Sequence, residues 1–144
     1  MQDWGVRMKN LEIRFARDND CTGLEKLDKK AHHEIKWWEH QNRREFEKII
    51  RSNNFLTLVA EDNGLIAGYL QATLKFDSSA LWIEDIYVDK KYRRKGVASR
   101  LLDKFTDHWK GKKKSIVLIT SDKNVKIFDK IGFTKRANYM VYKP

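Results

Sequence analysis

Cysteine occurs once in the 144 residues, at Cys21, so no disulfide can form within the chain. Histidine is also sparse. His32, His33, His40 and His108 lack the spacing of a metal-ligand set, and no structural metal is expected. No apolar run approaches the roughly 20 residues of a membrane span. The opening residues, Met1 to Arg7, carry no apolar stretch of the signal-peptide kind, so the cytoplasm is the expected address. Internal repeats, linkers and low-complexity tracts are also missing, which leaves no seam at which to divide the sequence.

What remains is an ordinary apolar complement, 41% of residues with 12% aromatic, enough to bury one core. A single domain over residues 1–144 is expected, with residues 1–9 trailing from it. Charge is distributed unevenly. Residues 1–85 hold 13 Lys/Arg against 15 Asp/Glu, whereas residues 86–144 hold 17 against 5. A back half of net +12 suits either a solvated lysine-rich surface or an anionic ligand, and charge alone does not separate nucleic acid from a phosphorylated cofactor.

Periodicity gives the element order. Leu11 to Phe15 alternates as a first strand, and Asp18-Asn19-Asp20 supplies cap chemistry for a helix. Leu24, Leu27, Ala31, Ile35 and Trp38 recur at helical steps, predicting an amphipathic helix from about Asp20 to His40 with a break near Trp37. Asn42-Arg43-Arg44-Glu45 fits a capping box that opens a second, shorter helix. Phe55–Ala60 and Leu65–Leu74 flank the turn Asp62-Asn63-Gly64 as a hairpin, and Leu81–Val88 follows as a third strand after Asp77-Ser78-Ser79. Val97, Leu101, Leu102, Phe105 and Trp109 mark a helix, Ser115–Thr120 a strand, and Asn124–Ile131 a short helix closed by Gly132. Phe133–Tyr142 reads as one long or two short strands. The sum is an α/β sandwich around a mixed sheet.

One segment asks for a phosphorylated ligand. The strand ending at Val88 passes through Asp89-Lys90-Lys91-Tyr92 into a helix that begins at Gly96, so unpaired backbone N–H groups converge at that helix start. Gly96 and Ala98 leave the main chain approachable, and Arg93, Arg94 and Lys95 surround it with positive charge. The spacing is neither that of a Walker loop nor of a dinucleotide fingerprint.

Arg93-x-x-Gly96-x-Ala98 resembles the Gln/Arg-x-x-Gly-x-Gly/Ala pyrophosphate loop of the GNAT acetyltransferases. Ile83-Glu84-Asp85-Ile86-Tyr87-Val88 before it and Lys130-Ile131-Gly132-Phe133 after it stand where that family has its flanking segments, and the element order agrees from Leu11 to Lys143. The resemblance implies a mixed, mostly antiparallel sheet splayed at its middle. It also implies acetyl-CoA as cosubstrate and a primary amine as acceptor, whether a polyamine, a protein N-terminus or lysine, or an amino sugar. By the same resemblance, backbone amides from Arg94 through Lys95, Gly96 and Val97 to Ala98 bind the pyrophosphate. Ile86, Tyr87 and Val88 then line the pantetheine arm, and an N–H near Val88 polarises the thioester carbonyl. Homodimers are common in such a family, and nothing in these residues decides that point.

An amine with a lysine-like pKa of about 10.4 must lose a proton before it attacks, so a base is expected. Glu84, nine residues before Arg93, matches a glutamate of the polyamine acetyltransferases in this superfamily and is favoured over its neighbour Asp85. Strand alternation turns only one of the two toward the cleft. The resemblance breaks at Phe128, where the family often has a tyrosine acid toward the leaving thiolate, so either another group such as Tyr139 or Tyr142 serves or the thiolate leaves without an acid. Asn124 stands three residues beyond the family's asparagine position and is carried as a cofactor contact. His32 and His33 lie near the expected acceptor entrance and Trp37 and Trp38 could wall it, but surface roles for the histidines and a core role for the tryptophans are the preferred readings. Two other functions stay open. A nucleic-acid-binding module would use Lys112, Lys113 and Lys114, but no aromatic platform accompanies them and nucleic acid is disfavoured. A CoA-binding sensor without turnover is suggested by Phe128 alone.

Overall fold

The computed structural model describes residues 10–74, 80–112, 115–138 and 140–142. Five strands form one sheet in chain order: β1 (Leu11–Phe15), β2 (Phe55–Asp62), β3 (Leu65–Leu74), β4 (Ala80–Val88) and β5 (Ser115–Leu118). β1 to β4 pair antiparallel and β5 lies parallel to β4. The β2–β3 connection is tight because Asn63 and Gly64 both take positive φ, 47° and 86°, the pair that a two-residue hairpin needs to match strand twist. A parallel neighbour cannot be reached so directly, and the chain runs through helix α3 (Val97–Trp109) before β5.

Two cores sandwich the sheet. On one face α1 (Cys21–Glu34) and α2 (Arg43–Arg51) bury Cys21, Leu24, Leu27, Ala31 and Phe46 against Val59, Tyr69 and Tyr87. On the other, α3 buries Val97, Leu101, Leu102 and Phe105 against Leu58, Leu70, Ala72, Leu81 and Ile83. Helix α4 (Val125–Ile131) contributes Phe128 and Ile131 at the edge of that second core. Phe46 and Phe105 are at most 1% exposed, each worth about 2–3 kcal/mol over an exposed ring. The chain is therefore the α/β/α sandwich around a mixed, mostly antiparallel sheet that the sequence predicts.

Four boundaries differ from the sequence reading, the first being β2, which runs on to Asp62 instead of ending at Ala60. The first long helix stops at Glu34 instead of reaching His40, because Ile35 is extended and the following residues fold back onto the helix. Asp28, fully buried, draws them there: it accepts hydrogen bonds from Trp38 Nε1 (2.9 Å), His40 Nδ1 (2.9 Å) and the Gln41 N–H (2.6 Å). β5 ends at Leu118, two residues short of Thr120. The described residues of Phe133–Tyr142 form no strand. Helix α4 closes with Gly132 at φ 108°, and the Phe133 N–H donates to the Phe128 carbonyl, so Phe133 turns back onto the core. Past it Met140, Val141 and Tyr142 are exposed, which leaves no apolar face to pin a strand. The trailing segment 1–9 and the turn at Asp77–Ser79 lie outside the described residues.

The cap expected of Asp18-Asn19-Asp20 does not form on α1, because the Asp20 carboxylate is taken by the Arg14 guanidinium and the Arg17 N–H, whereas α2 follows its sequence signal. Asn42 Oδ1 accepts from the Glu45 N–H at 2.9 Å and starts α2. Asp89 accepts from the Lys91 N–H at 3.1 Å and turns the chain after β4, while Lys30 of α1 holds the same carboxylate at 2.6 Å.

Candidate active site

β5 opens the sheet on one side of β4. Its pairing runs from Ala80 opposite Ser115 to Ile83 opposite Leu118, so β4 from Glu84 to Val88 has no β5 partner. On the other side β4 stays bonded to β3, with the Asp89 N–H donating to the Ala67 carbonyl at 2.8 Å. Alternation along that ladder turns the N–H groups of Ile86 and Val88 toward the gap. The expected splay is present, and polar main chain lines it.

A bulge shapes the same stretch. β3 and β4 pair Gln71 with Asp85 and then Ala72 with Ile83, so Glu84 is the inserted residue. Thr73 Oγ1 donates to Glu84 Oε1 at 2.6 Å, and Thr73 lies two residues from Gln71 and four from Tyr69 on the α1/α2 face. Asp85 lies on that face as well, two residues from Tyr87. The inserted residue overturns the simple alternation expected of the strand and gives both carboxylates one side. Their surroundings differ. Glu84 is exposed, whereas Asp85 is half-buried, and desolvation, then the charges of Asp28 and Glu84, raise its pKa to about 6.

The segment from Asp89 to Ala98 folds as a tight loop into α3. Arg94 and Gly96 take positive φ, 61° and 81°, and the first intrahelical bond runs from the Arg100 N–H to the Gly96 carbonyl at 3.0 Å. The N–H groups of Val97, Ala98 and Ser99 consequently point out of the helix start with no intrahelical acceptor. A side chain at Gly96 would meet no atom within 4 Å, so the space beside that main chain is open.

Arg93 behaves differently from the charge expected of it. Its guanidinium donates to both oxygens of Glu34 at 2.6 Å, its Nε donates to the Val88 carbonyl at 2.9 Å, and it stands over the Tyr87 ring at 5.3 Å. Tyr87 completes the cluster by donating its hydroxyl to Glu34 Oε1 at 2.7 Å. Arg93 first, with Tyr87, holds the Glu34 carboxyl down at about 2, while burial and the bond to Glu34 push the Tyr87 phenol up to about 12. Lys95 reaches back to the Lys91 carbonyl at 2.8 Å and over the Tyr92 ring, and Arg94 is exposed. Arg93 therefore braces the loop to α1, and the N–H groups at the start of α3 are the part aimed outward.

Behind β4 lies the hub at Asp28. The Tyr69 hydroxyl donates to it at 2.8 Å, joining Trp38, His40 and Gln41, and the Tyr69 phenol is pushed far up by burial and by that carboxylate. Trp38 is buried beside Tyr87 at 5.8 Å, whereas Trp37 is 77% exposed. Sequence reasoning missed this hub and the Glu34 clamp. Asp28 did leave a signal, a carboxylate on the apolar stripe between Leu24 and Ala31; Glu34 left none.

The family model for the GNAT acetyltransferases matches residues 12–133. The chain belongs to the GNAT acetyltransferase family. Its fold is similar to that of the aminoglycoside N-acetyltransferase AAC(6')-Iy in complex with a CoA bisubstrate analogue (21% identity, 93% of this chain and 97% of that one, TM-score 0.75). A Trypanosoma brucei acetyltransferase (22%, 93% and 99%, 0.74) is similar too. So is glucosamine-6-phosphate N-acetyltransferase from Arabidopsis thaliana (22%, 92% and 97%, 0.73). No curated protein sequence matches the chain.

As a GNAT protein the chain is an acetyl-CoA-dependent N-acetyltransferase. Its loop fits that cosubstrate, since the outward N–H groups after Gly96 are donors suited to a pyrophosphate and the open space at Gly96 lets it approach. The other residues expected at the site come from α4 and the segments on either side of it. Asn124 precedes α4 and its side chain makes no cap bond. Phe128 packs against Phe133 at 5.8 Å between ring centroids, at the margin of the α3-side core. Tyr139 lies outside the described residues, and Tyr142 is 86% exposed. Among the described residues no helix is long and apolar enough to cross a membrane.

Proposed function

We propose that this protein transfers the acetyl group of acetyl-CoA to an aliphatic primary amine on a small cationic acceptor, with Asp85 as the base. The observation that carries this reading is the position of Asp85, a half-buried carboxylate with a pKa near 6, on the β4 segment that β5 leaves open. A base is most effective when its pKa lies near the working pH, so Asp85 fits the task better than exposed Glu84, which the sequence favoured. Glu84, held by Thr73, adds negative charge beside it.

The main chain of Arg94 to Ala98 binds the pyrophosphate, and Ile86, Tyr87 and Val88 border the pantetheine arm. When bound, the cosubstrate supplies an acetyl thioester. Asp85 accepts a proton from the acceptor ammonium, directly or through one water. The freed nitrogen lone pair forms the bond to the carbonyl carbon as the carbon–sulfur bond breaks and the thiolate leaves. The Val88 N–H, aimed at the gap, stabilises the negative charge that develops on the carbonyl oxygen. Phe128 has no proton to give, so the second proton, lost from the nitrogen as the amide forms, reaches the thiolate through water.

Amino sugars head the acceptor classes, because similar folds include proteins named as aminoglycoside and glucosamine-6-phosphate N-acetyltransferases. The test is calorimetric titration with acetyl-CoA followed by thiol release with diamines, glucosamine, neamine and a lysine peptide. Binding with release that Asp85→Asn removes supports the assignment. Binding without release from any amine would make the protein a CoA-binding module.

A further inference from the structure

Three polar residues form a row across the sheet beside the proposed base. Thr57 of β2 pairs with Gln71 of β3, and Gln71 pairs with Asp85 of β4. Each lies two residues along its strand from a member of the α1/α2 core, Val59, Tyr69 and Tyr87, so all three face that side. Thr57 is 6% exposed and Gln71 3%, yet neither Thr57 Oγ1 nor Gln71 Oε1 has a hydrogen-bond partner. Buried polar atoms are normally satisfied, and two orphans side by side on one row need a reason. The adjacent Asp28 does not supply one, because its oxygens are taken by Tyr69, Trp38, His40 and Gln41. Local demand is for donors: an amide oxygen and a carboxylate accept, and a hydroxyl does either.

We infer that Thr57, Gln71 and Asp85 form an acceptor subsite that recognises a second N–H or O–H donor on the amine being acetylated. Cross-strand neighbours stand about 5 Å apart, so an acceptor whose reacting nitrogen lies at Asp85 places a group a few bonds away against Gln71 Oε1 and then Thr57 Oγ1. That selects short diamines and amino sugars and gives a simple monoamine nothing to offer the row. The inference rests on the transferase reading for the place of the reacting nitrogen, but its binding consequence is separate.

The probes are 1,3-diaminopropane, glucosamine and propylamine, titrated calorimetrically into the full chain with saturating CoA, alongside thiol release with acetyl-CoA. At least one two-donor probe should bind about tenfold more tightly than propylamine, the scale of one charge-assisted hydrogen bond. The diamine and glucosamine arms tell an N–H from an O–H as the second donor. Gln71→Leu should reduce that advantage to near the propylamine level and Thr57→Val should reduce it severalfold. Neither should lower the melting temperature, since each removes an unpaired buried group. Equal binding of all three probes would overturn the subsite, as would a Gln71→Leu protein that melts lower while still discriminating. Discrimination without thiol release would sink the transferase reading and leave the subsite standing; release without discrimination would do the reverse.

Discussion

The Arg93 guanidinium grips the Glu34 carboxylate through two hydrogen bonds of 2.6 Å, joining the end of α1 to the loop that starts α3. The pair lies at the surface end of α1, so its net worth is about 1 kcal/mol despite its bidentate geometry. Glu34 has its pKa lowered from 4.5 to about 2, so the contribution is complete above 4.5 and fades as pH falls through 2. Glu34→Gln should therefore melt a few degrees below wild type at pH 7 and approach it near pH 2, as read by thermal melts across pH. Acetyl-CoA affinity, measured by calorimetry, should weaken severalfold as the loop loses its brace.

Asp85→Asn should exchange activity for stability. The folded pKa is raised from 3.8 to about 6, so the carboxyl favours folding only while protonated, and that advantage is lost as pH rises through 6. At pH 8 the amide variant should be more stable by about 1–2 kcal/mol, and at pH 3 equal to wild type. Its turnover should fall roughly 100-fold with acetyl-CoA affinity intact. Wild-type kcat/KM should rise tenfold per unit up to about pH 6 and then level off; no such limb would remove Asp85 from the proton transfer.

Gly96→Val tests the loop. Gly96 stands at φ 81°, where a β-branched residue is strained by about 1–2 kcal/mol, although a Cβ there meets no neighbour. Melting should drop accordingly, and acetyl-CoA binding should weaken by more than the strain explains because the branches occupy the phosphate approach. Equal affinity with a lowered melting point would place the pyrophosphate elsewhere.

Asp28→Ala should cost about 3 kcal/mol, because it leaves the buried Tyr69 hydroxyl and Trp38 indole without their acceptor. Near-ultraviolet circular dichroism should register the loss of the Trp38 environment beside Tyr87.

The turn from β4 into α3 was legible because its demands are local: a glycine at the helix start, small Ala98 after it, a strand before it. The sheet order was legible too, since Asn63-Gly64 and the alternation on either side specify a hairpin by themselves. The bulge at Glu84 was not, as an inserted residue obeys the same composition rules as a paired one. Only the register of Gln71 with Asp85 and Ala72 with Ile83 reveals it, and with it the shared face of the two carboxylates. The irregular course after Glu34 was hidden for a related reason. Ile35 and Trp38 continue the helical spacing, but Asp28 requires the Trp38 indole from outside the helix. Arg93 carried a charge that suited phosphate, and only the fold brings it to Glu34, 59 residues away.

The short pairing of β5 also bears on how firmness is shared along the chain. No described residue after Phe105 is fully buried, and β5 holds to β4 through four paired positions. β5 and α4 thus form the shallowest cooperative unit, one that can detach while the hairpin of β2 and β3 stays shut. Native-state amide exchange should be fastest in Ser115–Ile131 and slowest in Leu58–Ala60 and Tyr69–Ala72. The wall of the gap beside β4 is then, among the described residues, the part that yields first.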